Sequence, residues 1–316
     1  MVNLLPKKIK TNDASNHTDN LMSASKSHGG SHESNGHAHA APAPRSFEVR
    51  VLRQDAPGEA SYWERHRIDH EPDMNITSVL QRMAANAETA DGRPVTPVAY
   101  DCNCLEEVCG ACTMIINGRV RQACTALVDK LLADNPAEIE LRPMSKFPVI
   151  RDLSVSRQRL FRALQKVKAW IPADGYYDMG GGPRQAPEEQ LEAYPLYTCM
   201  SCGCCLDACP QYTKVELTQH DGESAAEFAA REKAEFDRSF AGAHAINQVQ
   251  YYNSHPTGKM QADDRLEAIT SAGGIQDCGN AQNCVAVCPK EIPLTTSIGK
   301  IGRAATLYKL KKFFGG

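Results

Sequence analysis

Four cysteines in the second half of the chain are spaced two, two and three residues apart and are followed by a proline. They are Cys199, Cys202, Cys205 and Cys209. This is the spacing with which bacterial ferredoxins hold iron–sulfur clusters: the first three thiolates bind one cluster, and the fourth binds a different one. The motif therefore predicts a second set of cysteines for the cluster that Cys209 would join.

A second group of cysteines near the C-terminus fits the same template with one substitution. The template places ligands at positions 278, 281, 284 and 288, and the residue at 281 is alanine. An iron corner without a ligand is easily lost, which leaves a three-iron cluster. We therefore predict a [3Fe-4S] centre at Cys209, Cys278 and Cys284. By the same crossing rule, the ligands of a [4Fe-4S] centre are Cys199, Cys202, Cys205 and Cys288.

A third group of cysteines, in the first half of the chain, has a different spacing. The first three are separated by four and two residues, and a fourth follows at a distance: Cys104, Cys109, Cys112 and Cys124. This is the plant-type pattern for a [2Fe-2S] cluster. Gly110 suits a loop that bends tightly so that backbone amides face the sulfurs. The Asn117–Gly118 pair predicts a hairpin that carries the chain back to Cys124.

The chain has 13 cysteines, and the three groups use all but two of them. Cys102 could stand in for Cys104 as a ligand, but the set is complete without it. We therefore interpret Cys102 and Cys204 as buried free thiols. Zinc ribbons and disulfides also use clustered cysteines. Zinc sites take four ligands in pairs and do not explain a cysteine–proline motif that occurs twice.

The elements expected around the plant-type group are mainly strands. They are predicted at 47–52, 61–70, 97–100 and 139–142. Within the second stretch we place His66 and His70 on the strand surface. Asn75 is a candidate N-cap for an amphipathic helix.

The second half of the chain is predicted to be mostly helical, with helices at 154–169, 223–240 and 292–314. The glycines at 180–182 are interpreted as a turn, since the prolines that follow do not suit a phosphate loop. The chain ends in a basic and apolar segment, 309–314. This segment either touches lipid headgroups or a membrane partner, or is an ordinary helix end with cations in its last turn.

These elements predict an α+β chain with two folded domains. Residues 46–150 are expected to form a β-grasp, plant-ferredoxin-like [2Fe-2S] domain, and residues 151–316 a helical, bacterial-ferredoxin-like domain with two clusters. Residues 1–45 are expected to be disordered, because they contain few large apolar side chains to bury. The histidines of this tail, interpreted as solvent-exposed rather than metal-binding, are His17, His28, His32, His37 and His39.

The net charge of −3 argues against a nucleic-acid partner, which would leave a basic footprint. The sequence shows no hydrophobic leader and no apolar run of membrane-spanning length. We therefore expect a cytoplasmic protein that another subunit would have to hold at a membrane. No dinucleotide-binding glycine motif is present. Three clusters of different types indicate a chain that passes single electrons between partners.

Taken together, the motifs resemble the iron–sulfur subunits of succinate dehydrogenase and fumarate reductase, from about residue 47 to the C-terminus. Besides the cysteine groups, the segments that carry the resemblance are 151–153, 166–172 and 255–258. These three segments look like the menaquinone-linked bacterial branch of the family.

The resemblance implies a subunit of succinate dehydrogenase without a substrate site of its own. Electrons would come from FAD in a flavoprotein subunit and pass through the [2Fe-2S], [4Fe-4S] and [3Fe-4S] centres. They would reach quinone in a membrane cytochrome b anchor that carries haem b. The complex would lie at the cytoplasmic face of the plasma membrane. The alternative is a fumarate reductase, in which the same relay runs in reverse.

Two positions depart from the family's pattern. No tryptophan follows Pro210, and Gly279 replaces the histidine after the first three-iron cysteine. These differences argue that the quinone binds deeper in the anchor. Two rival functions are a ferredoxin-like subunit of another enzyme and a free electron carrier. The first generally lacks the plant-type domain, and the second would lack the exposed apolar patches expected here.

Overall fold

The computed structural model describes residues 46–135, 138–171 and 183–315. These residues belong to one compact unit. The predictions of a disordered tail over 1–45, with its five histidines, and of a turn at 180–182 concern residues outside the described ranges.

A five-stranded sheet forms the N-terminal part of the described chain. Its strands are β1 (Ser46–Arg53), β2 (Tyr62–Asp69), β3 (Thr113–Ile116), β4 (Arg119–Gln122) and β5 (Glu138–Arg142). Their order across the sheet is β2-β1-β5-β3-β4. The β1–β5 pair is parallel, and the other neighbouring pairs are antiparallel. With a helix packed against it, this sheet is the predicted β-grasp.

Helix α1 (Ile76–Ala85) shares one hydrophobic core with the inner face of the sheet. Its N-terminus is capped as predicted, because the Asn75 side chain accepts a hydrogen bond from the Ser78 backbone N–H at 2.9 Å. Such a cap stabilises a helix end by about 1 kcal/mol. A short helix, α2 (Val128–Asp134), follows Cys124 and adds to the same core.

Strands β3 and β4 form the hairpin that the Asn–Gly pair predicts. Asn117 and Gly118 both have positive φ, 47° and 75°, which a two-residue hairpin turn requires. The Asn117 side chain also accepts a hydrogen bond from the Glu140 backbone N–H at 2.8 Å. The turn is thereby tied to β5, and the sheet delivers Cys124 next to the plant-type loop.

The predicted strand at 97–100 is wrong, since these residues have no strand assignment. Their backbone groups bond to a turn instead of to the sheet. The Ala99 N–H donates to the Asp152 carboxylate at 2.9 Å, and the Ala99 carbonyl accepts from the Leu153 N–H at 3.0 Å. The apolar residues of this stretch therefore pack beside the sheet without extending it.

The surface position predicted for His66 is also wrong, because this side chain is only 2% exposed. Its ring lies 2.9 Å from both the Glu64 carboxylate and the Glu88 backbone carbonyl. Two polar partners allow a histidine on the buried face of β2. His70, just beyond the end of β2, remains partly exposed.

A two-stranded hairpin connects the sheet with the helical region. It consists of β6 (Val149–Arg151) and β7 (Ser154–Val155), joined by a turn in which Asp152 has a φ of 47°. The helix predicted from residue 154 therefore begins later, as α3 (Gln158–Lys166). The hairpin spans the expected domain boundary at 150/151.

The rest of the described chain is mostly helical, as predicted. After α3 come α4 (Pro187–Tyr197), α5 (Cys204–Asp207), α6 (Ala225–Arg238), α7 (Gly242–Ser254), α8 (Ala262–Ile269), α9 (Asn283–Ala286) and α10 (Leu294–Gly315). Helix α7 is central and packs against α4, α5, α8 and α10. Within the described ranges, no helix is both long and apolar enough to cross a membrane.

Candidate iron–sulfur centres

The plant-type loop directs backbone amides at its sulfurs. The Cys104 Sγ atom accepts from the backbone N–H groups of Val108 and Cys109, each at 3.3 Å. The Cys109 Sγ atom accepts from the Ala111 N–H at 3.4 Å. Amide donors of this kind stabilise the thiolate, which is the form that binds metal. The loop therefore has the donors and the amide environment that a cluster requires.

The thiols of this group lie in two different environments. Backbone amides of Glu106, Val108 and Cys109 lower the pKa of the Cys104 thiol to about 6. Burial raises the pKa of the Cys124 thiol to about 12. Cys112 is also buried. Cys104 therefore lies on the loop side of this group, among backbone amides, whereas Cys112 and Cys124 lie on the buried side, next to the sheet.

Positive backbone φ angles curl the loop around its thiols. Leu105, Glu107 and Gly110 have φ values of 63°, 58° and 69°. At Gly110 there is a second constraint, because a Cβ atom there would lie 2.7 Å from the Cα atom of Cys202. The sequence indicates the need for a tight bend, but only the tertiary structure shows this contact between two predicted ligand loops.

The [4Fe-4S] ligands predicted by the crossing rule line one cavity. Cys199, Cys202 and Cys205 come from the first cysteine–proline motif, and Cys288 comes from the second. Burial raises the pKa of the Cys199 and Cys205 thiols. The cavity thus offers four thiols in a water-poor setting, and this suits a cluster whose metal ions supply the missing positive charge.

The [3Fe-4S] ligands predicted by the same rule line a second cavity, to which Cys209, Cys278 and Cys284 all contribute. Ala281 lies in the lining as well, at the template position without a thiol. Burial raises the pKa of the Cys284 thiol, and the charges of Cys209 and Cys278 add to the effect. Gln211 packs against Gly279 beside this cavity.

The two motifs repeat the same backbone conformation. Ser201 and Asn280, each two residues after the first cysteine, have φ values of 53° and 52°. Gly203 and Gln282, two residues further on, have φ values of 87° and 61°. Each motif then forms a one-turn helix, α5 or α9, which carries the next cysteine. This repeat places Ala281 where the first motif has Cys202.

The two spare cysteines differ from each other. Cys204 is buried, as predicted, and its Sγ atom accepts a hydrogen bond from the Gln122 side chain at 3.3 Å. Cys102 is exposed rather than buried, because it precedes the curled loop and faces outward.

All 13 cysteines lack a disulfide partner. Among the described residues, no three His, Cys, Asp or Glu side chains form a site for a single metal ion.

Two residues near the cavities contact the cysteine loops although no sequence motif predicts it. Arg157 donates hydrogen bonds to the carbonyls of Gly110 and Ala111, both at 2.6 Å. His244 is buried on α7 and lies 2.9 Å from the Ser201 hydroxyl. Neither residue is at a recognisable spacing from a cysteine, so only the folded chain shows these contacts.

Two domain families match the chain. A 2Fe-2S iron-sulfur cluster binding domain covers residues 48–162, and a 4Fe-4S dicluster domain covers residues 195–292. Together with the fold and the grouped thiols, these matches define an iron–sulfur protein with a plant-type domain followed by a two-cluster domain.

Two similar proteins indicate the family of iron–sulfur proteins to which the chain belongs. The succinate dehydrogenase iron-sulfur subunit of Bacillus subtilis is 45% identical over 271 residues, which are 86% of this chain and 97% of that protein. The fumarate reductase iron-sulfur subunit of Wolinella succinogenes is 30% identical over 82% of this chain and 97% of that protein. The chain belongs to the family of iron–sulfur subunits of succinate dehydrogenase and fumarate reductase, which confirms the resemblance found in the motifs.

A solved structure with the same fold is also similar. A chain of the Mycobacterium smegmatis Sdh1 complex in the apo form superposes with a TM-score of 0.63 at 20% identity. The match covers 85% of this chain and 98% of that chain.

Proposed function

We propose that this chain is the electron-relay subunit of a membrane-bound succinate:quinone oxidoreductase. Its clusters would be a [2Fe-2S] centre on Cys104, Cys109, Cys112 and Cys124, a [4Fe-4S] centre on Cys199, Cys202, Cys205 and Cys288, and a [3Fe-4S] centre on Cys209, Cys278 and Cys284. When bound, each cluster supplies a site that gains or loses one electron. Residues 46–150 would form the first domain and residues 151–316 the second.

The observation that carries this proposal is that each of the two cysteine–proline motifs contributes one cysteine to the cavity of the other. Cys288 lines the cavity of the first motif, and Cys209 lines the cavity of the second. Cys205 on one side and Cys284 on the other are close enough for their charges to interact. The two cavities are therefore neighbours, as a relay requires.

The protein's contribution is to hold the thiols and to exclude water. Cys112, Cys124, Cys202 and Cys284 are buried, which limits the access of water to these proposed ligands. Amides at the plant-type loop stabilise negative charge at its sulfurs. These features keep the surroundings of each centre fixed while its charge changes.

The partners follow from the proposed place of the chain in the complex. A flavoprotein with FAD would supply electrons, and a cytochrome b anchor with haem b would pass them to quinone, at the cytoplasmic face of the membrane. Docking to two partners is supported by exposed apolar side chains at two places. They are Leu105 and Val108 at the plant-type loop, and Phe313 and Phe314 at the end of α10. The higher identity to the succinate dehydrogenase subunit favours succinate oxidation as the direction.

Low-temperature EPR of the purified complex tests the cluster content. We expect a three-iron signal in the oxidised complex and two further signals, with different relaxation, after reduction with dithionite. Absence of the oxidised three-iron signal from a complex with full iron content would refute the [3Fe-4S] assignment and the ligand set built on Ala281.

A further inference from the structure

The plant-type loop and the first cysteine–proline motif touch at Gly110 and Cys202. A Cβ atom added to Gly110 would lie 2.7 Å from the Cα and Cβ atoms of Cys202. A contact this short leaves no room for any side chain at position 110. The backbone of one proposed ligand loop therefore lies directly on a proposed ligand of the next centre.

Arg157 joins the two loops across this contact. Its Nη1 atom donates to the Gly110 carbonyl at 2.6 Å and reaches the Cys202 carbonyl at 3.5 Å. Its Nη2 atom donates to the Ala111 carbonyl at 2.6 Å. Arg157 belongs to neither loop, since it lies between β7 and α3. The guanidinium is a rigid fork, so it restricts both the distance and the angle between the loops.

A second, buried bridge ends at the same Gly110 carbonyl. The Gln122 side chain, only 1% exposed, donates to the Thr113 hydroxyl at 3.1 Å and to the Cys204 Sγ atom at 3.3 Å. The Thr113 hydroxyl in turn donates to the Gly110 carbonyl at 2.8 Å. This bridge gives the spare thiol of Cys204 a structural role.

The Arg157 guanidinium also brings a positive charge to the contact between the two loops. All three of its hydrogen-bond acceptors are neutral main-chain carbonyls. A guanidinium stays charged in a protein, so a fixed positive charge lies between the two proposed ligand loops. A positive charge in a partly buried setting favours the addition of an electron nearby.

We infer that Arg157 is a positioning residue for electron transfer between the first two centres, an inference that rests on the proposed ligand sets. It holds the plant-type loop against the first cysteine–proline motif at one separation, and its charge raises the reduction potential of both centres. Gln122 and Cys204 support the same contact from the buried side.

The experiment compares the wild-type complex with Arg157→Met and Arg157→Lys. Redox titration followed by EPR gives the midpoint potential of each centre, and the magnetic interaction between the two reduced centres reports their separation. The control is Arg159→Met, because Arg159 is a nearby arginine that also donates to main-chain carbonyls, but to those of Thr213 and Phe240.

We expect Arg157→Met to lower the potentials of the [2Fe-2S] and [4Fe-4S] centres and to weaken their magnetic interaction. Arg157→Lys keeps the charge, so its potentials should stay nearer to wild type while the interaction still weakens. Arg159→Met should leave the [2Fe-2S] potential and the interaction unchanged.

Wild-type potentials and wild-type interaction in a fully loaded Arg157→Met complex would overturn the inference. If that variant loses its clusters, Arg157→Lys decides: a weakened interaction supports the role of Arg157, and an unchanged one refutes it. Wild-type protein that lacks the reduced signals altogether would contradict the proposed function instead.

Discussion

Arg53 and Asp152 form a buried ion pair that ties the first strand of the sheet to the turn before the helical region. Two guanidinium nitrogens of Arg53 donate to the two carboxylate oxygens of Asp152, at 3.0 and 3.1 Å. Arg53 is 1% exposed and Asp152 is fully buried. Burial opposes the charged form of Arg53, but the hydrogen bonds to Asp152 and Glu64 more than compensate and raise its pKa.

We predict that Asp152→Ala is strongly destabilising. It would leave Arg53 buried with only Glu64 and the Thr96 carbonyl as partners. Breaking a buried ion pair by removing one partner costs about 3–5 kcal/mol. The measurement is the unfolding midpoint of the purified complex. As a control, Glu48→Ala removes the partner of Arg67 in an exposed pair, where a change of about 0.5 kcal/mol is expected. Equal effects of the two substitutions would contradict this prediction.

Ala281→Cys is expected to convert the proposed three-iron centre towards a four-iron one. The repeat of backbone angles places this side chain where the first motif has the proposed ligand Cys202, and Ala281 lines the second cavity. The oxidised three-iron EPR signal should diminish, and the potential of the centre should fall. Ala286→Cys, on α9 of the same motif but outside the cavity lining, serves as the control. An unchanged three-iron signal in Ala281→Cys would count against the template.

Cys112→Ser is expected to perturb the [2Fe-2S] signal and leave the other two intact. Cys112 is 3% exposed and packs in the core that the sheet shares with α1 and α2, not in the core of the C-terminal helices. EPR of the reduced complex makes the comparison. Cys102→Ser is the matched control, because Cys102 is exposed and outside the ligand set. Loss of all three signals in Cys112→Ser would show that the two cluster regions do not fold separately.

We predict that the ionised Glu223 side chain stabilises the start of α6, so that this stabilisation depends on pH. Its carboxylate accepts from Arg231 at 2.8 and 2.9 Å and from the His220 N–H at 2.9 Å. These bonds lower the pKa of Glu223 to about 2 from its ordinary value of 4.5. A lowered carboxyl pKa stabilises the fold above the unfolded-state pKa, and this contribution is lost as the pH falls through the folded-state value.

The test for Glu223 is the difference in thermal unfolding between wild type and Glu223→Gln as a function of pH. The variant should be less stable at neutral pH, and the difference should shrink from about 4.5 towards about 2. Glu235→Gln is the control, since Glu235 forms an exposed pair with Arg238 on the same helix. A difference that stays constant over this range would rule out the carboxylate of Glu223 as its source.

The sequence predicts best those features that depend on residues close to each other along the chain. Cysteine spacing indicates the cluster types and the exchange of Cys209 and Cys288 between the two motifs. The Asn117–Gly118 turn and the Asn75 cap are likewise local, because each depends on the conformational or hydrogen-bonding preference of one or two residues. The turn and the cap are present in the structure as predicted.

Contacts between distant segments were not predictable in this way. His66 is buried because Glu88 supplies a partner from another segment, and residues 97–100 leave the sheet because Asp152 and Leu153 take their hydrogen bonds. The helix expected from residue 154 starts late because the chain first closes a hairpin. In the first two cases a polar partner from another segment outweighs the local pattern, and in the third a short hairpin does so.

The sequence by itself determined which chemistry this chain carries, since thiol number and spacing specify iron–sulfur ligation and the order of the motifs identifies the family. Only the tertiary structure decided how the proposed ligand loops are held against each other. The contact of Gly110 with Cys202 and the carbonyls held by Arg157 depend on segments more than 40 residues apart. No spacing rule encodes them, because they arise from the packing of the sheet against the helical region.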